Sequence, residues 1–265
     1  MIDEPLSPDS LSDASLLDVI MFDLDKTLAS SKQAITPSMA ALLSQLSLHT
    51  LFTVISGGKR EQLEQQVVNQ LSADAETRNV YLQPTSGAAL FTFENGLWTA
   101  VYEESLTAAE ATHIKEVLEQ VCTETKLVDL SSPSHGERIE FRGASVAMSV
   151  LGQQAPIDEK EAWDSDNSKK KTLQTAAQEL LPEYDVKTGG ATTIDVTKKG
   201  INKAYGVRKL SEYLQVPIRS MLYIGDALYP GGNDEVVKAT GITTHEVKNP
   251  DDTEMFIKGL LAKVR

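Results

Sequence analysis

The segment Val19–Leu28, VIMFDLDKTL, places two carboxylates, Asp23 and Asp25, just after an apolar run, with Thr27 following. In a β-strand, residues two apart point to the same side. The pair is therefore expected at one spot at a strand's C-terminal end, where open α/β sheets hold their ligands. Close carboxylates repel, and one pKa rises unless a cation lies between them. The pattern fits a Mg²⁺ site, a nucleophilic carboxylate with a neighbouring acid/base, or both. A strand ending in a polar turn is the plain alternative.

Other strand ends supply matching chemistry. Ser56 closes the run LFTVIS before Gly57-Gly58. Lys203 opens a helix, and the strand after it, MLYIG, leads into Asp226 and then Gly231-Gly232-Asn233-Asp234. Together these residues offer carboxylates for a divalent cation, a hydroxyl and free N–H groups for a phosphate, and one ammonium. That is the equipment of phosphoryl transfer, where positioning and charge neutralisation do most of the catalysis. Oxygen ligands favour Mg²⁺ over Zn²⁺, and the 4 histidines are scattered.

Such ends need a sheet to align them. Leu16–Leu24 reads as a strand, and Thr36-Pro37 as a helix start with proline at the first helical position. Leu51–Ser56 is a second strand. Lys59–Leu71 has Leu63, Val67 and Leu71 at helical spacing, and Asn79–Gln83 is a third strand stopped by Pro84. This order predicts a doubly wound parallel sheet, an α/β core. The middle differs. Asn95-Gly96 sits between alternating runs and marks a hairpin, since both turn positions need φ > 0. Thr107 and Glu110 form a capping box. Glu137–Arg142 and Ser145–Leu151 pair through Gly143, a polar helical stretch covers Asp158–Leu181, and two short strands flank Gly189-Gly190. The last third returns to alternating helix and strand. It has a helix at Ile201–Val216, a strand at Met221–Gly225, short elements at Asn233–Ala239 and His245–Lys248, and a closing helix at Asp251–Val264. The expected organisation is a flexible acidic tail at 1–15, a core made of 16–87 and 195–265, and an inserted α+β domain at 88–194 acting as a lid.

Bulk properties narrow the function classes. The 265 residues carry a net charge of −13, with a pI near 4.8. Such a surface repels nucleic acid and anionic membrane. The single cysteine, Cys122, rules out an internal disulfide and a cysteine-rich zinc site. No apolar run reaches transmembrane length, and the first residues contain no signal-type apolar stretch. A cytoplasmic protein is expected.

FDLDKTL, the ISGG strand end, Lys203 and GDALYPGGND, in this order and spacing, resemble the haloacid dehalogenase superfamily. An insertion between the second and third motifs resembles its type IIB cap. ERIEFRG, TGGATTIDV and GDALYPGGNDE are in turn similar to segments of the eukaryotic-type phosphomannomutases. The resemblance implies Asp23 as nucleophile and Asp25 as acid/base. Thr27, Ser56, Gly57 and Lys203 would hold the phosphate. Mg²⁺ would sit on Asp23, the backbone carbonyl of Asp25, and Asp226, supported by Asn233 and Asp234. Lys26 stands where a glycine is usual. In the inserted domain, alternation puts Arg138, Glu140 and Arg142 on one strand face and Ile139 and Phe141 on the other. Arg142, Thr193 and Asp195 are expected to bind a sugar phosphate, arginine for phosphate and aspartate for hydroxyls. A solvated polar sheet face is the plain alternative.

The departures from the mutase pattern matter. Gln153, Lys160 and Lys32 stand where the resemblance leads one to expect arginines. Lysine cannot make arginine's bidentate fork, and glutamine carries no charge. A mutase must hold phosphate at both ends of its substrate. The preferred expectation is therefore a Mg²⁺-dependent phosphatase acting on a small sugar phosphate, with a phosphomannomutase or phosphoglucomutase as the alternative. A non-catalytic binding module is the remote third class, opposed by the intact Asp23, Asp25, Lys203 and Asp226. A homodimer through the inserted domain is expected from the resemblance alone.

Overall fold

The structure is a computed structural model and describes residues 17–189 and 191–263. The acidic tail expected at 1–15 lies outside them. The chain forms two compact units. One runs up to Glu103 and resumes at Asn202, and the other is Glu104–Ile201.

The first unit is built on a seven-stranded sheet. In chain order its strands are β1 (Val19–Asp23), β2 (Leu51–Ile55), β3 (Val80–Gln83), β4 (Ala89–Glu94), β5 (Leu97–Glu103), β10 (Met221–Gly225) and β11 (Thr243–Glu246). The spatial order is β11-β10-β1-β2-β3-β4-β5. The strands from β11 to β3 are parallel, as the alternating strand–helix order predicts. Both faces are covered, so these strands read as nearly continuous apolar runs. On one face Phe22, Leu24, Phe52 and Val54 pack with Met39 and Leu43 of α1 (Pro37–Ser47) and Phe256 and Ile257 of α7 (Pro250–Lys263). On the other, Val19, Met21, Met221 and Tyr223 pack with Val207 and Leu210 of α6 (Lys203–Leu214). Asp23 follows Val19 and Met21 by alternation and therefore faces α6.

Local signals act as expected. Thr36 accepts from the Met39 amide and Pro37 opens α1. Asn95 and Gly96 take φ of 52° and 82° between β4 and β5. The helix expected at Lys59–Leu71 breaks at Val67, leaving α2 as Arg60–Gln66. Gly206 lets α6 lie close to the sheet, since a Cβ there would stand 2.7 Å from Ile55 Cδ1.

The second unit has a four-stranded antiparallel sheet, β6 (Ile139–Phe141), β7 (Ser145–Ser149), β9 (Thr193–Lys198) and β8 (Tyr184–Thr188), in that order. Its helices are α3 (Ala108–Thr125), α4 (Ile157–Trp163) and α5 (Ser168–Leu180). The Thr107–Glu110 capping box is formed in both directions. Ile114, Leu118, Leu173, Ile194 and Val196 belong to its separate core. The polar stretch at 158–181 divides because the Asp164 carboxylate accepts from the amides of Lys169 and Lys170, starting a new helix. Among the described residues, no helix is long and apolar enough to cross a membrane.

The domain boundaries need correction. The hairpin β4–β5, expected in the insertion, belongs to the first sheet, because β4 satisfies the free edge of β3 through Tyr81–Thr92 and Leu82–Phe91 pairing. At the other end β9 pairs with β7 and β8, so the inserted unit runs on to Ile201. The insertion is Glu104–Ile201, not 88–194.

Candidate active site

β1 ends at Asp23, whose neighbours across the sheet are Ile55 at the end of β2 and, one strand further, Gln83 at the end of β3. On its other side, Phe22 aligns with Ile224, so β10 delivers Asp226 just beyond its own end. Carboxylate oxygens of Asp23, Asp226 and Asp234 lie within 4.8 Å of one another. Lys203, the first residue of α6, is 3% exposed and reaches into this group. Its Nζ lies 2.5 Å from Asp23 Oδ1 and 2.6 Å from Asp234 Oδ1. Asn202 caps α6 by accepting from the Tyr205 amide, which fixes where Lys203 begins.

Asp234 is fully enclosed and heavily bonded. Oδ1 also accepts from the Tyr223 hydroxyl at 2.6 Å, and Oδ2 accepts from the Ala227 amide. Gly225 makes room for it, since a Cβ there would stand 2.5 Å from Asp234 Oδ2. Asp234 thus holds Lys203 in place beside Asp23.

The electrostatics follow from burial. Desolvation pushes the Asp23 carboxyl up to about 7; Lys203 opposes this, and Asp234 and Asp226 add to it. Burial also raises Asp226, reinforced by Asp234 and opposed by Lys203 and Lys26. Burial alone would lower Lys203, but Asp23 and Asp234 outweigh it and keep the ammonium charged. Desolvation and the nearby Asp234 and Asp23 keep Tyr223 a neutral donor. Three carboxylates against one ammonium leave two negative charges, the amount a divalent cation balances. The all-oxygen donors suit Mg²⁺, so the residues present fit it.

Lys203→Ala leaves Asp23 and Asp234 buried without a countercharge and is expected to cost about 3–5 kcal/mol of stability in urea unfolding at neutral pH. A loss below about 1 kcal/mol would show that the pair is relieved by other means. Raised carboxyls also make the metal-free fold less stable as pH climbs from about 4 to about 7, because the unfolded chain releases those protons first. Added Mg²⁺ is therefore expected to raise Tm, and more so at about pH 8 than at about pH 6, since ligands must be deprotonated. Asp226→Asn should lose that response. An unmoved Tm, or an unchanged response in the variant, would contradict the cation site.

The other expected residues divide. Asp25 does not lie on the strand. The chain turns after Leu24, Asp25 bridges to Ala29, and its Oδ1 accepts from the Lys32 amide at 2.8 Å. Strand alternation therefore does not bring its carboxylate into the triad of Asp23, Asp226 and Asp234. Lys26 takes φ of 65°, a left-handed position that explains why a glycine is usual there. Thr27 is fully buried and its hydroxyl has no hydrogen-bond partner. Ser56 is buried and its Oγ accepts from the Gly58 amide, while Gly57 is exposed. Asn233 is exposed and Lys32 is exposed. Tyr223 was missed by sequence reading. Its signal is a polar tip inside an apolar strand, two residues before the strand end.

On the second unit, Glu140, Ala147, Asp195 and Lys187 form one row across the sheet. Arg142 Nε donates to Glu140 Oε2 at 2.8 Å and Nη2 to Gln153 Oε1 at 3.2 Å, and Nη1 lies 3.5 Å from Asp195 Oδ1. Lys160 Nζ donates to the Gln153 carbonyl oxygen. Burial raises the Asp195 carboxyl, opposed by Arg142 and Lys187. Thr193 is half-buried on the same strand face as Asp195, opposite the buried Ile194 and Val196. Arg138 lies apart from this cluster, donating to Val150, Leu130, Ser132 and Pro133 carbonyls to hold a loop. Phe141, expected on the apolar face, is 48% exposed because β6 lies at the sheet edge.

Parallel strand ends carrying these carboxylates, with an α+β insertion, define the haloacid dehalogenase fold. Solved structures agree. A haloacid dehalogenase-like hydrolase from Bacteroides thetaiotaomicron superposes with a TM-score of 0.61 at 16% identity, covering 91% of this chain and 98% of that one. The C-terminal domain of a C. albicans trehalose-6-phosphate phosphatase gives 0.68 at 16% identity, covering 97% of each chain. At these identities the likeness is one of fold. The family is shown by sequence: the model for eukaryotic phosphomannomutase matches residues 39–263, and the chain belongs to that family. Relatives include a phosphomannomutase of Oryza sativa subsp. indica, 27% identical and covering 88% of this chain and 91% of that one. Phosphomannomutase 1 of Dictyostelium discoideum is 27% identical, covering 92% and 97%. The chain is an enzyme of this family. The comparisons favour the mutase alternative over the phosphatase that the replaced arginines led one to expect.

Proposed function

We propose that the chain is a hexose-phosphate mutase of phosphomannomutase type that moves a phosphoryl group by way of Asp23. The observation that carries the phosphoryl-transfer reading is the buried Lys203 ammonium fixed between Asp23 and Asp234, with Asp226 beside them. Lys203 occupies one oxygen of Asp23, which leaves the other to attack phosphorus. Lys203 stabilises the charge that gathers on the phosphoryl oxygens. The orphaned Thr27 hydroxyl, in the turn after β1, and the buried Ser56, just past β2, would take up phosphoryl oxygens. Asp25 protonates the leaving sugar oxygen, and it removes the proton from the hydroxyl that next receives the phosphoryl group. A Mg²⁺ ion on Asp23 and Asp226, when bound, would lower the Asp23 pKa and neutralise charge on the transferring group. The polar cluster of Arg142, Asp195, Thr193, Gln153 and Lys160 is the candidate sugar-phosphate face of the second unit.

One observation favours hydrolysis as the second reading. Arg142 is already engaged by Glu140, Asp195 and Gln153, and only lysine and glutamine stand at the neighbouring positions. The separating assay supplies mannose 1-phosphate with Mg²⁺, with and without glucose 1,6-bisphosphate, and follows inorganic phosphate and mannose 6-phosphate. Bisphosphate-dependent isomerisation with little phosphate released supports the mutase. Phosphate release without isomerisation would overturn it in favour of the phosphatase.

A further inference from the structure

The turn joining β3 to β4 holds the most constrained backbone near the site. Thr85, Ser86 and Gly87 take φ of 51°, 58° and 88° in succession. Residues with a Cβ avoid this left-handed region. Such backbone persists only where its surroundings over-determine it, and it gathers at functional sites. Here the surroundings are specific. The Thr85 amide donates to the Gly58 carbonyl at 2.9 Å and the Ser86 amide to the Ser56 carbonyl at 2.8 Å. The Tyr102 hydroxyl donates to the Gly87 carbonyl at 2.8 Å. Gly87 is pressed against α6, where a Cβ on it would stand 2.7 Å from Gly206 Cα.

All of this holds one side chain beside the candidate phosphate loop. Ser86 Oγ is 3.8 Å from the position a Gly57 Cβ would take. Ser86 is half-buried, and its hydroxyl makes no hydrogen bond among the described residues. Every neighbour of the turn is thus tied down, while the one presented hydroxyl is left to bond elsewhere. β3 is two strands from β1, roughly 10 Å at about 4.8 Å per strand. Ser86 follows β3 and bonds the Ser56 carbonyl, so it stands on the side of Ser56 away from Asp23, and its hydroxyl serves the organic part of a substrate whose phosphoryl group is seated on Asp23.

We propose that Ser86 is a specificity-determining residue whose hydroxyl bonds a hydroxyl of the polyol part of the substrate. This rests on the phosphoryl-transfer reading above. The test compares wild type, Ser86→Ala and Ser86→Gly on mannose 1-phosphate and on p-nitrophenyl phosphate, which has no polyol. Both variants should lower the ratio of kcat/KM for the sugar phosphate over the aryl phosphate about tenfold, mainly through KM. Ser86→Gly, which also relieves the left-handed backbone, should raise Tm by about 3 °C. That rise shows that lost selectivity is not lost folding. Equal losses on both substrates, or an unchanged ratio, would overturn the role of Ser86 while leaving phosphoryl transfer standing. A wild type that transfers phosphate from neither substrate would overturn the two together.

Discussion

Asp23→Asn is expected to remove turnover by at least about 10⁴-fold, the scale on which losing a nucleophile acts, while the chain stays folded. Asparagine keeps the shape and one carbonyl oxygen, so it still accepts from Lys203. It also removes one of three crowded negative charges. Because burial, with Asp234 and Asp226, raises the Asp23 carboxyl to about 7, ionising it costs the fold stability above that pH. The metal-free variant is therefore expected to unfold at a higher temperature than the wild type at about pH 8. Activity and Tm should move in opposite directions. An inactive variant that had also lost stability would point to a structural role, and an active one would place the nucleophile elsewhere.

Asp25→Asn is expected to slow transfer by about 10²–10⁴-fold, the range for a positioned acid/base. Asparagine can still accept from the Lys32 amide, so the turn survives and the lost proton donor is isolated. Asp25→Ala loses that hydrogen bond as well and should be less stable by about 1 kcal/mol, with a similar loss of rate. The leaving group gives a sharper readout. A p-nitrophenolate needs little protonation, so the first half-reaction on p-nitrophenyl phosphate should suffer much less than that on a sugar phosphate. Equal losses on the two would contradict a role in protonating the leaving oxygen.

What could be read in the chain depended on how local its cause was. Pro37 after Thr36, the Asn95-Gly96 turn and the Thr107–Glu110 box act within a few residues, and each forms as expected. The ends of β1 and β10 were legible because apolar runs stop at Asp23 and before Asp226. What escaped depends on tertiary register. Strand alternation does not set the position of Asp25, because the strand stops at Asp23 and the next residues turn. The hairpin at Ala89–Glu103 carries no mark saying which sheet it joins; the free edge of β3 decides that. Tyr223 reaches Asp234 only because β10 lies beside β1. The left-handed turn at Thr85–Gly87 is imposed by Tyr102, Ser56 and Gly206, none of them adjacent in sequence. On the second unit, alternation puts Thr193 and Asp195 on one strand face, as observed. Lys187 enters the same row only through the β8–β9 register.

The most direct measurement is chemical identification of the phosphorylated residue. The enzyme would be mixed with glucose 1,6-bisphosphate and Mg²⁺, quenched in acid within its first turnovers, reduced with borohydride and digested for peptide mass spectrometry. An aspartyl-phosphate is reduced to homoserine, so that conversion is expected at Asp23 and at no other carboxylate, and its absence is expected in Asp23→Asn. Turnover that proceeds with Asp23 unmodified, or with the label on another residue, would contradict a phosphoryl group carried by Asp23.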